Sequence, residues 1–423
     1  METVYQYIWQ HGLCGNKFKT VDGEEVTVLA PGRLNKDAGP DFFNARVRRG
    51  DTEWCGNIEI HVKASDWYRH GHQNDPAYDN IILHVVGVND TRIERKDRSL
   101  IPQTCLSPSK EFFELYSVMT GSLNAPVCLP YLGTISDLKK TDWVETLGVE
   151  RLQDKSRRLK ELLASQNGDW YQTLFILLAR ALGFGLNSLP FELTAKSIPL
   201  NYLMRHRDDL FQLEALLFGQ AGMLGDYGLA IDDYHGRMVR EYGFLCRKYD
   251  ISPIGPGLWK YSRTRPQNFP HRRIALLASS LTSGLKLQQS LLEAGGDSDK
   301  LREVFDFEMS EYWGSHSDFG REGTGQRKMS STSLNLILIN VAAPFYYTYG
   351  SLTGDCDLAE KGIDLLNELK GERNRIVMDW ERAGLKTRSA FQSQGLLHLR
   401  KEYCDRSRCA ECRFGHQLLR KAL

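Results

Sequence analysis

Apolar residues follow two different periods along the chain. Over residues 3–11 they recur at helical spacing, which predicts a short amphipathic helix. Segments 26–29, 42–48, 57–63 and 80–88 then show alternating or continuous apolar character of the strand type. Turn signals bound them: Asp22-Gly23, Pro31-Gly32, Gly39-Pro40, Arg49-Gly50-Asp51 and Asn74-Asp75-Pro76. From about residue 108 the helical period takes over. Helices are predicted over 110–119, 142–166, 170–182, 191–197, 208–218, 232–249, 272–281, 286–294, 332–343 and 360–369. Asp169 and Asp208-Asp209 are start signals, and Pro344 is expected to end the helix that begins at Thr332. The Pro- and Gly-rich stretch 251–270 and the stretch 314–328 are expected to be loops. The fold class is therefore α+β. A mixed-sheet domain at 1–107 precedes a helical domain at 108–400 and a Cys-containing tail at 401–423.

Composition narrows the class. With 423 residues, 41% hydrophobic, 25% charged and a net charge of +1, the chain is an ordinary globular one, neither disordered nor fibrous. No apolar run reaches the roughly 18 residues of a membrane span, and the opening METVYQYIWQHG lacks the pattern of a signal peptide. Nine scattered cysteines suit a reducing compartment. A cytoplasmic protein with no membrane partner is expected. Nucleotide-binding glycine loops, the zinc-protease helix motif and the serine-hydrolase elbow are all missing from the sequence.

Candidate chemistry concentrates near the N-terminus. Four of the eleven histidines, His61, His70, His72 and His84, fall within twenty-four residues, among Asp41, Glu59, Asp66, Asp75 and Asp79. On the strand 57–63, alternation puts Asn57, Glu59, His61 and Lys63 on one face. If that strand pairs with the one opened by Asp41, the two acids approach each other. Such a pair either holds a proton or shares a cation. Mg²⁺ or Mn²⁺ suits carboxylate oxygens, and His61 or Lys63 could orient a water beside the ion. His70 and His72 are further metal-ligand or substrate-contact candidates. His84, on an apolar strand, reads as a core histidine.

Gly39-Pro40-Asp41 followed by Glu59-Ile60-His61 resembles the signature of the PD-(D/E)XK nucleases, with His61 where that family carries lysine and Lys63 two residues on. The resemblance implies an αβββαβ core, a metal held by Asp41 and Glu59, and hydrolysis of DNA or RNA. The phrases AGPDFFNARV and GNIEIHVKASDWYRHGHQNDPAYDNIILHVV, with the Cys-containing tail, also resemble a largely bacterial family catalogued as a domain of unknown function. That family brings no reaction with it.

Two further features stand apart. Cys404, Cys409, Cys412 and His416 are spaced C-x4-C-x2-C-x3-H, which suits structural zinc. Three clustered thiols with a distant fourth suit an iron–sulfur cluster, and Cys14, Cys55, Cys105, Cys128, Cys246 and Cys356 are equal candidates for that fourth. The tail is basic, with twelve Lys and Arg against six Asp and Glu over 372–423. Lys260, Arg263, Arg265 and Arg273, interleaved with Trp259, Tyr261 and Phe269, form a stretch that could contact phosphates and stack bases. The expected function is metal-dependent phosphodiester hydrolysis. The alternatives are a non-catalytic helical scaffold that binds protein or nucleic acid, and a zinc hydrolase acting on a small molecule through His61, His70, His72 and Asp41.

Overall fold

Phe42, Ala45 and Val47 on one strand and Ile58 and Ile60 on the next are fully buried, and these residues fix the two central strands of the sheet. The computed structural model describes residues 2–35, 37–121, 126, 128–225, 231–262, 268–284, 286–323 and 326–422. The chain divides into two units, one formed by Met1–Lys140 with Leu399–Leu423, the other by Thr141–His398. Residues 108–140 and the tail, read from the sequence as helical domain and separate tail, thus belong with the sheet.

The first unit begins with α1 (Glu2–Gln10). Its sheet holds β1 (Lys17–Lys19), β2 (Glu25–Ala30), β3 (Arg33–Leu34), β4 (Phe42–Arg49), β5 (Thr52–Lys63), β6 (Ile81–Val88) and β7 (Gln103–Cys105). The order is β1-β2-β4-β5-β6-β7, with β3 paired to β4. Strands β1 to β5 pair antiparallel, and β5-β6 and β6-β7 pair parallel, so the sheet is mixed. A parallel pair needs a crossover. Here it is the segment 64–80, which carries α2 (Asp66–Arg69) and two 3-10 turns. Helix α3 (Lys110–Gly121) follows β7.

Helix α1 seats directly on the sheet. A Cβ on Gly87 of β6 would lie 2.3 Å from the Tyr5 hydroxyl, so only glycine admits the helix at that distance. Val4, Tyr5, Ile8 and Trp9 are buried, which leaves Glu2 and Gln6, one turn apart, on a shared polar stripe.

The second unit is helical. Its core includes Leu174, Phe175, Leu217, Phe218, Ile274, Leu277, Trp313 and Phe345. Asp169 and Asp209 cap the helices Trp170–Leu182 and Leu210–Gln220, as their positions in the sequence predict. Helices Arg375–Arg382, Ala390–His398 and Arg413–Lys421 were not expected, and neither were β1, β3 and β7.

Pro344 does not end its helix. The run Ser331–Ile337 passes through a π turn at Leu338–Ala342 into Ala343–Thr353. In that turn the carbonyl of Ile339 looks five residues ahead to Pro344, which has no N–H. The Lys155 ammonium donates to it instead, at 3.1 Å, and to Asn340 Oδ1 at 2.9 Å. Within 314–328 a short strand pair, His316–Asp318 with Arg321–Glu322, replaces the expected loop. Among the described residues, no helix is long and apolar enough to cross a membrane.

Candidate metal centre

Asp41 stands at the entrance to β4, and Asn35 shapes the turn before it. The Asn35 amide donates to the carbonyls of Asp37, Ala38 and Pro40 at 3.1, 3.2 and 3.1 Å. Just beyond Asp41 the β4–β5 register shifts between Phe42 and Ala45, with Asn44 at φ 56°, a bulge that aims the strand end. Two hydrogen bonds then bind the acids together. The Asp41 N–H donates to Glu59 Oε2 at 3.1 Å, and the Ile60 N–H donates to Asp41 Oδ2 at 3.0 Å. Gln6 of α1 donates to Asp41 Oδ1 at 2.8 Å.

The crossover folds its histidines back over β5. His61 Nε2 lies 3.6 Å from Glu59 Oε1 and 3.2 Å from His70 Nδ1. His72 Nε2 lies 3.3 Å from the same glutamate oxygen. His61, His70 and His72 each present a ligand atom, all within 4.8 Å of one another. Behind them, His61 Nδ1 meets His84 Nε2 at 2.8 Å. Tyr78 stacks on His72 with ring centroids 3.9 Å apart.

Burial shifts the acids and the imidazoles of the site in opposite directions. Burial pushes Asp41 up to about 8, with Glu59 adding to the effect, and burial likewise pushes Glu59 up to about 8, with Glu2 adding. Burial also raises Glu2 itself, against a lowering pull from His70. The imidazoles move the other way. Burial and the neighbouring rings lower His61 to about 3, burial lowers His72, and burial with His61 holds His84 well below the usual histidine range. A neutral imidazole has a lone pair that it can offer to a metal.

The donor set fits a divalent transition metal. A tetrahedron with arms of about 2.1 Å has edges of about 3.4 Å. Three separations, His61–His70 at 3.2 Å, His72–Glu59 at 3.3 Å and His61–Glu59 at 3.6 Å, lie near that value, and the group whose donor atoms all lie within 4.8 Å of one another is the three histidines, with Glu59 beside two of them. His72 Nε2 is buried and has no hydrogen-bond partner, as a ligand nitrogen would be. His84 stands where a ligand histidine's second nitrogen is usually held. Its own Nδ1 is buried without a partner, so it is a core histidine but not a satisfied one. Three imidazoles shift the preference from Mg²⁺ toward Mn²⁺ or Zn²⁺.

The other candidates fall elsewhere. Lys63 is exposed, and its charge acts on Asp90. Asp66 accepts the Lys63 N–H and pairs with Arg69 at 2.9 Å. Arg273 is not a surface cation: it is 4% exposed, bonds Ser333 and Asn268, and lies over the Phe184 ring. Its position in the first turn of the buried helix Pro270–Thr282 explains this. Trp259 is also buried, donating to the Ala221 carbonyl. Lys260 is exposed, and its backbone N–H and carbonyl bond the Asn187 side-chain amide. Arg263 and Arg265 lie outside the described residues. In the tail, Cys404 and Cys409 are half-buried and Cys412 is buried, while His416 Nδ1 bonds the Tyr7 hydroxyl at 2.9 Å.

Glu2, Gln6, Asn35 and Tyr78 were not singled out in the sequence. For the first two a signal existed, since they are polar residues at i and i+4 on a helix that is otherwise mostly apolar.

A family model described as "Protein of unknown function (DUF2851)" matches residues 2–375. No curated protein and no solved structure matches the chain.

Proposed function

We propose, for a chain that belongs to the DUF2851 family, that this site hydrolyses phosphodiester bonds of DNA or RNA with a divalent metal, Mn²⁺ being the best fit. The observation that carries the reading is the convergence of His61, His70 and His72 beside Glu59, with Asp41 bonded across the strands to that glutamate. The order α1, β2, β4, β5, α2, β6, with the acids at the head of β4 and within β5, supports the likeness to the PD-(D/E)XK nucleases.

Glu59, His61, His70 and His72 would hold the ion. When bound, it supplies Lewis-acid stabilisation of phosphoryl charge and a more acidic water. The protein groups do the rest. Asp41 accepts a proton at an oxygen whose direction Gln6 fixes, and His84 holds the His61 ring in one orientation. A groove of about 640 Å³ in the same unit, lined by Lys139, Arg413, Arg420 and Lys421 against one acid, Glu411, supports a polyanionic partner.

The test is incubation of the purified chain with linear and circular DNA and RNA, with and without Mn²⁺, alongside Asp41→Ala and Glu59→Ala. Mn²⁺-dependent cleavage lost in both variants is expected. Cleavage unchanged in both removes the site, and no cleavage of any substrate leaves the scaffold reading. The three imidazoles favour one second reading, a zinc hydrolase of small molecules. Turnover of small phosphate or carboxylic esters without nucleic-acid cleavage would select it.

A further inference from the structure

Two buried guanidiniums in the helical unit have no acid to face. Helix Pro270–Thr282 opens with His271, Arg272 and Arg273, which are 5%, 3% and 4% exposed. His271 takes Asp318 at 3.3 Å. Arg272 donates to carbonyls, those of Trp313, of His316 at 3.2 Å and of Gln326 at 2.6 Å. Arg273 Nη2 donates to Asn268 Oδ1 and to Ser333 Oγ, the latter at 3.2 Å, and its Nε is buried with no acceptor. Among the described residues, neither guanidinium pairs with a carboxylate.

The surroundings of Arg273 disfavour a cation. Burial strips its water, and a buried charge left unpaired is costly. Burial, with Arg272 adding as a like charge, brings Arg273 down to about 10, so it stays charged at neutral pH. It stands in the first turn of a helix of 13 residues, at the end where the dipole is positive. No side chain caps that end, so the N–H groups of His271 and Arg272 stay open. The Phe184 ring, its centroid 4.4 Å from the guanidinium carbon, offsets part of the cost. Negative charge is what the place lacks.

The local geometry gathers donors at the helix start. Asn268 precedes the first helical residue by two, so the bond to its side chain turns the Arg273 guanidinium back over that start. Ser333 lies beside the same group and meets the Ser330 hydroxyl at 3.2 Å. Asn268 and Ser330 are exposed, so polar surface adjoins the buried head group. A planar carboxylate is matched by one guanidinium fork. A fork joined by a side-chain amide, two hydroxyls and open helix N–H groups suits a tetrahedral oxyanion, whose oxygens point several ways.

We propose that Arg273, Asn268, Ser330, Ser333 and the start of helix Pro270–Thr282 bind a phosphate group, which supplies the negative charge missing from this part of the fold. The site uses no residue of the histidine centre or of the basic groove. Inorganic phosphate and the phosphate of a mononucleotide share the required chemistry.

The experiment uses the full chain freed of metal with a chelator, so that no ion at the histidines can hold phosphate. It is titrated calorimetrically with inorganic phosphate, and separately with a nucleoside 5′-monophosphate, each against chloride at equal ionic strength. Saturable binding is expected, with backbone hydrogen exchange slowed at His271 and Arg272. Tighter binding of the nucleotide identifies a nucleotide as the source, and equal or weaker binding identifies free phosphate. Both outcomes support the site. Arg273→Met should abolish binding. Asn268→Asp changes only an exposed side chain, and its carboxylate takes the place of the anion. That variant should melt at a higher temperature than the parent in phosphate-free buffer and bind phosphate at least about tenfold more weakly. No binding of either ligand beyond that of chloride, unslowed exchange at His271 and Arg272, or full binding by Asn268→Asp each overturns the proposal.

Discussion

Asp41 and Glu59 hold each other in place across β4 and β5. The Asp41 N–H bonds Glu59 Oε2, and the Ile60 N–H, next to Glu59, bonds Asp41 Oδ2. Each carboxylate is thus fixed by a peptide group of the opposite strand before any ion arrives. Asp41 Oδ1 is left to Gln6 and Glu59 Oε1 to the His61–His72 edge. This is preorganisation, and it keeps two acids close together in a buried place.

Glu59→Gln should therefore separate stability from activity. The amide oxygen can still accept the Asp41 N–H, while the buried negative charge is gone. At pH 8, metal-free Glu59→Gln should be more stable than the parent by about 2 kcal/mol. Its Mn²⁺-dependent cleavage should fall at least about 100-fold, since a ligand loss should cost no less than the second-shell losses of 10–100-fold. Urea denaturation and a cleavage assay check the two halves. A less stable variant with full activity contradicts both.

Metal uptake should strengthen as pH rises from 6.5 to 8. Asp41 and Glu59, raised to about 8, bind protons more tightly folded than unfolded, so metal-free stability falls as pH climbs through this window. The histidines, lowered when folded, act oppositely, but their contribution is complete above their unfolded value of about 6.5. Binding Mn²⁺ must displace the carboxyl protons. Calorimetry at pH 6.5 and 8 in buffers of different ionisation enthalpy should show tighter binding at pH 8 and proton release at pH 6.5. Equal affinity at both values would place the ion away from these acids.

Gln6 tests whether α1 belongs to the site. Gln6→Ala frees Asp41 Oδ1 without touching the histidines, and cleavage should fall about 10–100-fold, since a proton acceptor displaced by about 1 Å can cost that much. Mn²⁺ content should hold. Unchanged cleavage would make the helix a structural cover only.

Several of these features were legible in the chain. The Pro-Asp turn and the alternating strand 57–63 place Asp41 and Glu59 together because antiparallel register is set by the turn and the pleat. The histidines were visible as a density, but their convergence was not, because the crossover 64–80 decides it and its 3-10 turns leave no periodic signal. Arg273 misled because charge is read as exposure, while this guanidinium finds Asn268, Ser333 and the Phe184 ring inside the helical unit.

Pro344 misled for a related reason, and its rescue gives a last prediction. Proline removes the donor that the Ile339 carbonyl would use in the π turn, and Ile339 is 1% exposed, so water does not replace it. Lys155 does. Lys155→Met keeps the stem's packing and leaves that carbonyl unpaired, at a cost of about 1–3 kcal/mol. Burial lowers the Lys155 ammonium to about 7, so the folded chain binds fewer protons than the unfolded one above that value. Parental stability should therefore gain with pH between 7 and 9 relative to Lys155→Met. Paired denaturation curves at the two pH values measure this. The substitution should leave Mn²⁺ binding at the histidines intact, and a variant as stable as the parent would mean that the π turn satisfies its own carbonyls.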